Sequence, residues 1–127
     1  MCLVSEKRNP YISDKDIQCY KILAPIGDSF ITPYRGFIFD IDYIYNDKAD
    51  EKIVEISEGY FIVESGYFHA LTSLQKAKET LNTIHRKVKD KIYKIYKVII
   101  PKDTPYYTGQ FEDICSKSLK IVEECFD

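Results

Sequence analysis

A single stretch of this chain has the periodicity of an α-helix, whereas its other apolar-rich stretches resemble β-strands. Within residues 72–89, apolar side chains recur at spacings of three and four, which places them on one face of a helix. These side chains are Leu74, Ala77, Leu81, Ile84 and Val88. Thr72 or Ser73 can cap the first turn. The pattern therefore predicts one main amphipathic helix that buries a single face.

Strand-like stretches lie on both sides of the predicted helix. Apolar and polar residues alternate, or apolar residues dominate, over residues 16–24, 37–44, 52–70, 93–100 and 117–124. Residues 106–116 are predicted to be irregular. Short turns favour antiparallel pairing, so the sequence predicts an α+β fold: a mostly antiparallel twisted sheet with the helix packed on one face. We expect the opposite face to expose many of the 11 tyrosines.

The length and the distribution of polar residues indicate one domain. The chain has 127 residues, which is the usual size of a single domain. Residues 1–15 are polar and contain the turn signal Asn9-Pro10. We therefore interpret residues 1–15 as an N-terminal arm and residues 16–127 as a single α+β domain.

Charge and cysteine usage argue against several classes of function. The net charge of -2 provides no basic field for non-specific nucleic-acid binding. The four cysteines, Cys2, Cys19, Cys115 and Cys125, form no C-x-x-C pair, so neither a zinc knuckle nor a redox motif is predicted. No signal peptide is visible, nor any apolar run of the ~20 residues that cross a bilayer. We expect a cytoplasmic protein with reduced thiols and no membrane association.

Residues with catalytic chemistry are few and follow no known spacing. The two histidines, His69 and His85, occur in neither H-x-x-x-H nor H-E-x-x-H, so no metal site is predicted. The five glycines are spread singly, so no phosphate-binding loop is predicted. Asp40 and Asp42 share a strand face that is expected to point to solvent. The sequence therefore favours a protein without enzymatic activity, metal or cofactor.

Three stretches carry side chains suited to ligand binding: TPYRG (32–36), GYFHALTS (66–73) and IPKDTPYYTG (100–109). An arginine beside an aromatic ring can stack on a planar ligand and pair with a phosphate, and a helix N-terminus favours anions. His69 either ends a strand or faces a pocket. The predicted ligand-binding residues are Tyr34, Arg35, Tyr67, His69, Ser73, Lys102, Tyr106 and Tyr107. Together they predict an anionic, nucleotide-like ligand.

The order of these stretches resembles the skeleton of ADP-ribosyltransferase-like domains over residues 32–123. The shared features are an aromatic-Arg-Gly, a Gly-Tyr-Phe strand that leads into a helix, and a late strand followed by P-K-x-T-x-Y. The resemblance implies that the first motif holds a nicotinamide dinucleotide and that the middle strand lines the pocket. It also implies a late catalytic glutamate, Glu112 or Glu123, although neither occurs in an E-x-E. Lys21 stands where the family has an arginine or a histidine.

Three classes of function remain open. The first is a non-enzymatic binding protein that binds or sequesters a nucleotide-like anionic ligand, or that blocks a host protein. The second is a divergent ADP-ribosyltransferase-like enzyme, and the third is a structural component of the virion type that forms a homo-oligomer. The Lys-, Ile- and Tyr-rich composition resembles small accessory proteins of phages and mobile elements, where a protein of the first class would serve anti-defence. The lack of a catalytic arrangement favours the first class.

Overall fold

The computed structural model describes residues 3–33 and 36–125. Within these ranges the chain forms thirteen β-strands and one α-helix. In chain order they are β1 (Leu3–Ser5), β2 (Tyr11–Ile12), β3 (Ile17–Ile26), β4 (Ser29–Ile31), β5 (Ile38–Phe39), β6 (Ile44–Asn46), β7 (Lys52–Ser57), β8 (Tyr60–Ser65), β9 (Phe68–Leu71), α1 (Leu74–Lys87), β10 (Lys94–Ile100), β11 (Pro105–Thr108), β12 (Asp113–Ser116) and β13 (Ser118–Glu124). The prediction of an α+β fold with one main helix is confirmed.

Two antiparallel sheets organise the strands. The larger sheet has the order β2-β11-β12-β9-β3-β10-β13-β6, and β4 and β5 extend it from the end of β3. The smaller sheet has the order β1-β8-β7. All of the named strand pairs run antiparallel, which confirms the predicted pairing direction.

The first fifteen residues, predicted as an arm, contribute β1 to the smaller sheet and β2 to the larger one. Ser13 then ties this segment to the turn after β10. Its Oγ donates to the carbonyl of Pro101 at 2.7 Å and accepts from the amide of Thr104 at 2.9 Å. These bonds join residues that are far apart in the sequence, so local sequence patterns cannot predict them.

The prediction that residues 106–116 are irregular is wrong. Strands β11 and β12 pair with each other around a tight turn, in which the Gly109 amide donates to the carbonyl of Asp113 at 2.9 Å. Each of these strands has four residues, which is at the lower limit of what alternation can reveal. Their stability comes from the neighbouring strands β2 and β9, which are distant in the sequence.

Helix α1 packs on one face of the larger sheet, as predicted. Ser73 caps its first turn, because the Ser73 Oγ accepts from the Lys76 amide at 3.1 Å. The buried stripe enters a core that comprises Ala77, Ile84, Ile22, Ala24, Tyr93 and Ile95. Burial of a large apolar side chain of this kind contributes about 1.5–3 kcal/mol. No helix in the described ranges is long and apolar enough to span a membrane.

The opposite face of the larger sheet is also covered. Its core includes Tyr96 and Val98, and the segment 29–45 places Phe30 and Phe39 over it. Tyr96 is 2% exposed, and its ring centroid lies 4.7 Å from that of Phe30. The expectation of a free, tyrosine-rich face is therefore wrong, because a segment that precedes the helix folds back over that face.

The covering segment is not the continuous strand that its alternation predicts. Strand β4 folds back on the end of β3, and β5 pairs with β4. Asp42 then adopts a positive φ of 59°, which interrupts the alternation between β5 and β6. Of the four side chains predicted to share one face, Phe39 is buried, whereas Phe37, Ile41 and Tyr43 are exposed.

Candidate ligand-binding cleft

The larger sheet opens between β3 and β9. Strand β3 pairs with β10 along residues 17–23, and β9 pairs with β12 along residues 68–71. Strands β3 and β9 pair with each other at Tyr20 and Leu71. Beyond that point β3 stays paired with β10, and β9 stays paired with β12. The separation leaves a cleft of about 370 Å³ that is open to solvent.

The lining of the cleft comes from both faces of the sheet. Tyr20 and Ile22 belong to the core beneath the helix, whereas Phe39 and Phe68 belong to the core on the other face. Because these cores lie on opposite faces, the cleft passes between the two strands. The remaining lining residues are Lys21, Thr32, Pro33, Phe37, Asp47, Tyr67, His69, Ala70, Leu71, Thr80, Ile84 and Asp113.

Lys21 brings a positive charge into this cleft. Strand alternation directs its side chain to the same face of β3 as Cys19 and Leu23, which are both fully buried. The Lys21 Nζ donates to the backbone carbonyl oxygen of His69 and lies 5.6 Å from the centroid of the Phe39 ring. Among the described residues, no carboxylate lies within ion-pair distance of this Nζ. Because burial removes water from the ammonium group, the pKa of Lys21 falls to about 8.

The buried thiols near the cleft are less reactive than the Lys21 amine. Burial raises the pKa of Cys19 to about 12, and the positive charge of Lys21 opposes this rise only in part. Burial likewise raises the pKa of Cys115 to about 12. Both thiols therefore stay protonated at neutral pH, and a protonated thiol is a poor nucleophile. The amine of Lys21 is thus the more reactive group in this part of the protein.

Three phenylalanines, Phe37, Phe39 and Phe68, form an aromatic wall along the cleft. The ring centroids lie 4.6 Å apart between Phe37 and Phe39, 5.5 Å between Phe37 and Phe68, and 5.6 Å between Phe39 and Phe68. Phe39 is 1% exposed, whereas Phe37 is 46% exposed. An exposed ring beside buried ones presents an apolar surface on which a planar ligand can stack.

Two acidic residues, Asp47 and Asp113, are also among those that line the cleft. The Asp47 Oδ1 accepts from the Ala49 amide at 2.9 Å, and the Asp113 Oδ1 accepts from the Phe111 amide at 3.2 Å. Each carboxylate is therefore held by an amide of its own loop, and the cleft combines one lysine with two acidic groups. Residues 3–33 and 36–125 contain no group of three or more His, Cys, Asp or Glu placed to hold a metal ion.

Two of the predicted ligand-binding residues, Tyr67 and His69, line the cleft. His69 lies within β9 and is partly buried, and its carbonyl is the acceptor for Lys21. The Tyr67 hydroxyl donates to the Glu51 Oε1 at 2.8 Å, and burial together with Glu51 raises the pKa of Tyr67. His69 is the second residue of β9, so it does not end the strand, and it is among the residues that line the cleft. Its role in ligand binding stays a prediction.

Two tyrosines of the third predicted stretch lie elsewhere. The ring of Tyr106 stacks on that of Tyr11 at a centroid distance of 5.4 Å. Tyr107 is 0% exposed and donates its hydroxyl to the carbonyl of Arg8 at 2.7 Å. Burial raises the pKa of Tyr107 to about 12. Tyr107 therefore has a structural role in the core beneath the smaller sheet.

Ser73 and Lys102 also lie outside the cleft lining. Ser73 caps α1, and its hydroxyl is engaged by the helix. Lys102 is exposed in the turn after β10, where its amide donates to the Asp16 Oδ1 at 2.9 Å. Tyr34 and Arg35, the remaining predicted residues, lie outside the part of the chain that the structure describes. Their role in ligand binding stays a prediction.

Sequence reasoning missed Lys21, Phe37 and Phe39 as site residues. A signal for Lys21 existed, because alternation along residues 16–24 puts it on the same face as Cys19 and Leu23. A lysine on the apolar face of a strand has to reach solvent, find a partner or lose its charge. No comparable signal existed for the phenylalanines, because aromatic residues at strand positions usually serve the core.

The resemblance to ADP-ribosyltransferase-like domains stays a prediction. The two glutamates that it offers for catalysis, Glu112 and Glu123, do not line the cleft, and Glu123 lies 3.4 Å from the Nζ of Lys97. Comparison with known proteins finds no matching family model, no matching curated protein and no matching solved structure.

Proposed function

We propose that this protein is a non-enzymatic binding protein that holds a small planar ligand with a single negative charge in the cleft. The observation that supports this most directly is the position of Lys21. Its ammonium group is partly desolvated, and its acceptor is a neutral carbonyl rather than a carboxylate. A buried charge without a counter-ion is costly, and a bound anion would offset that cost. A ligand that carries a carboxylate or phosphate would therefore gain affinity from Lys21.

The shape and charge of the cleft narrow the class of ligand. The aromatic wall favours a planar ring, because stacked aromatic pairs gain about 0.5–1.5 kcal/mol beyond their burial. Asp47 and Asp113 would repel additional negative charge, so a single charge is favoured over a diphosphate or triphosphate. A cyclic mononucleotide, which has a planar base and one charged phosphodiester, fits both requirements. In a phage-type accessory protein, such binding would sequester a nucleotide signal.

A thermal-shift and calorimetric screen tests this proposal. The panel contains 3′,5′-cyclic mononucleotides, aromatic monocarboxylates, nucleoside triphosphates and NAD. We expect the singly charged planar compounds to stabilise the protein, by about 2.7 kcal/mol at a ligand concentration of one hundred times Kd. The triphosphates and NAD should give smaller shifts. If no compound in the panel shifts the transition at millimolar concentration, the proposal is wrong.

Variants of two lysines locate the binding. Lys21→Met should abolish the shift, because it removes the cation of the cleft, and Lys21→Arg should retain it. Lys102→Met is the matched control, because Lys102 is exposed and outside the cleft. If Lys102→Met loses binding and Lys21→Met keeps it, the ligand instead binds at residues 100–109, one of the three stretches that the sequence predicts to bind a ligand.

We propose self-association as a second function, supported by an exposed apolar segment beside a sheet edge. Residues 37–44 include several exposed side chains: Phe37, Ile38, Ile41, Tyr43 and Ile44. Strand β6, which begins at the end of this segment, is the last strand of the larger sheet. Exposed apolar residues next to an edge strand favour association with a second copy. Light scattering after size exclusion should show a dimer or larger species that Tyr43→Ser together with Ile41→Ser dissociates; a monomer at high concentration would contradict it.

A further inference from the structure

The Lys21 amine differs from three other lysines of the sheets in what surrounds it. Lys52, Lys94 and Lys97 each have a glutamate oxygen within 3.4 Å of the Nζ, namely that of Glu64, Glu124 and Glu123 respectively. Lys21 instead faces the carbonyl of His69 and the ring of Phe39, inside a cleft that solvent can enter. A primary amine in apolar surroundings without a carboxylate partner is in the setting that activates lysine as a nucleophile.

We propose that Lys21 captures a carbonyl-bearing ligand covalently, through a Schiff base between its Nζ and the carbonyl carbon of a flat aldehyde or ketone. This inference rests on the proposed function, because it assigns the same cleft and makes its ligand class more specific. The aromatic wall would hold the ring of the ligand, and the amine would meet the carbonyl group attached to that ring.

The reaction is a condensation that needs no co-reactant. The ammonium group first releases a proton to solvent, and the lone pair of the nitrogen attacks the carbonyl carbon. The new N–C bond forms as the π bond of the carbonyl breaks, and one proton passes from the nitrogen to the oxygen through solvent, which gives a carbinolamine. That hydroxyl then leaves as water with the remaining proton of the nitrogen, and a C=N bond results. No electrons are gained or lost, and hydrolysis reverses every step.

The contacts of Lys21 suit the first step. The amine donates one N–H to the His69 carbonyl, which fixes the position of the nitrogen within the cleft. When the amine is neutral, its lone pair remains free to point towards the space beside Phe39. Burial lowers the pKa of Lys21 to about 8, so a substantial fraction of the amine is uncharged near neutral pH. Fixed position and available lone pair together favour attack on a bound carbonyl.

Trapping with an aromatic aldehyde tests the inference. The wild-type protein is incubated with pyridoxal at pH 7.5, reduced with borohydride, and mapped by peptide mass spectrometry. We expect a single predominant adduct on Lys21 that forms roughly tenfold faster than that on exposed Lys102. At pH 7.5 an amine pKa of about 8 leaves roughly two hundred times more of the group uncharged than the ordinary lysine pKa of 10.5 does, and the lower basicity of the nitrogen offsets part of that gain. Lys102→Met should keep this adduct. Labelling that is spread evenly over surface lysines would overturn the inference.

Lys21→Arg separates this inference from the proposed function. Arginine keeps the positive charge but forms no Schiff base under these conditions, so the variant should still bind cyclic mononucleotides and should lose the predominant adduct. Circular dichroism checks that it is folded. If wild-type protein binds cyclic mononucleotides but gives no Lys21 adduct, the covalent inference alone is wrong. If the adduct forms on Lys21 and no anion binds, the proposed function fails and the covalent site stands.

A competition experiment needs no variant. A cyclic mononucleotide that occupies the cleft of the wild-type protein should slow the labelling of Lys21 by pyridoxal and leave the labelling of Lys102 unchanged. Saturating concentrations should reduce the Lys21 adduct several-fold. Equal slowing at both lysines would show a non-specific effect and would contradict a shared cleft.

Discussion

Replacement of Lys21 with methionine should change how the stability of this protein depends on pH. Methionine has nearly the length of lysine and fills the same apolar space, but it has no titratable group. The structure places the Lys21 ammonium in the cleft next to the Phe39 ring, where burial disfavours its charge. Below the pKa of Lys21, the buried charge therefore destabilises the folded wild-type protein, whereas the variant has no such charge.

The sign and size of the effect follow from the two pKa values of this group. The pKa of Lys21 falls from its ordinary 10.5 to about 8 on folding. Between these values the unfolded chain keeps a proton that the folded protein has lost, so the free energy of unfolding rises with pH. One pKa unit is worth about 1.36 kcal/mol, so the whole rise amounts to about 3 kcal/mol, of which about 1 kcal/mol falls between pH 7 and pH 9.

Other groups titrate in the same range, so the difference between the two proteins is the quantity to measure. Burial raises the pKa of Cys19 on β3 and of Tyr96 on β10, which both neighbour Lys21, and of Tyr67 in the cleft. For these acids the free energy of unfolding falls as pH rises through the unfolded-state pKa. The remaining titratable groups of the cleft are Tyr20, His69, Asp47 and Asp113. The wild-type protein and the variant share all of them.

Urea unfolding followed by circular dichroism at pH 7, 8 and 9 provides the measurement. At pH 7 the loss of the buried charge is opposed by the loss of the hydrogen bond from Lys21 to the His69 carbonyl, which is worth about 1.5–3 kcal/mol. We expect the wild-type free energy of unfolding, minus that of Lys21→Met, to increase by about 1 kcal/mol from pH 7 to pH 9. The same difference for Lys102→Met should not change. A constant difference for Lys21→Met would show that its amine is solvated and would refute the reasoning on the cleft.

Substitutions at three further positions test the backbone and the helix cap by urea unfolding. Gly66→Ala should destabilise the protein by more than about 1 kcal/mol, because Gly66 has a φ of 93° and an added Cβ would lie 2.8 Å from the Glu51 Cα; an unchanged midpoint would contradict this close approach. Glu112→Gly should stabilise it by up to about 1 kcal/mol, because Glu112 has a φ of 55°; destabilisation would mean that its side chain contributes more than its strained backbone costs. Ser73→Ala should cost about 1 kcal/mol through loss of the cap on the Lys76 amide, and Ser73→Asp should restore it.

Most elements that alternate or repeat locally could be predicted. The stripe from Leu74 to Val88 predicts α1, and residues 93–100 and 117–124 closely match β10 and β13. The prediction failed where a strand is short or depends on a distant partner, as in β11 and β12. The burial of Tyr96 could not be predicted for the same reason, because it depends on Phe30, which folds back over the sheet from another part of the chain.

The candidate site could be predicted only in part, and for a related reason. Tyr67 and His69 were expected near a pocket from their position before a capped helix, and they line the cleft. Lys102 and Tyr106 were expected with them, because all follow strand ends. The strand order separates them, since the stretch that contains Lys102 and Tyr106 pairs with β2 and β12 rather than opening onto the gap beside β3.

The sequence by itself determined the periodicities of this protein: one helix with a single buried face, strands with antiparallel connections, and a lysine on the inward face of β3. These features are local, because each depends on the spacing of a few neighbouring residues. Only the tertiary structure decided that β3 and β9 separate after Tyr20 and Leu71, and that the Lys21 amine lies over the Phe39 ring. It also decided that no carboxylate in the described part of the chain lies within ion-pair distance of that amine. Those features depend on which distant strands pair, and side-chain spacing along the chain carries no information on that choice.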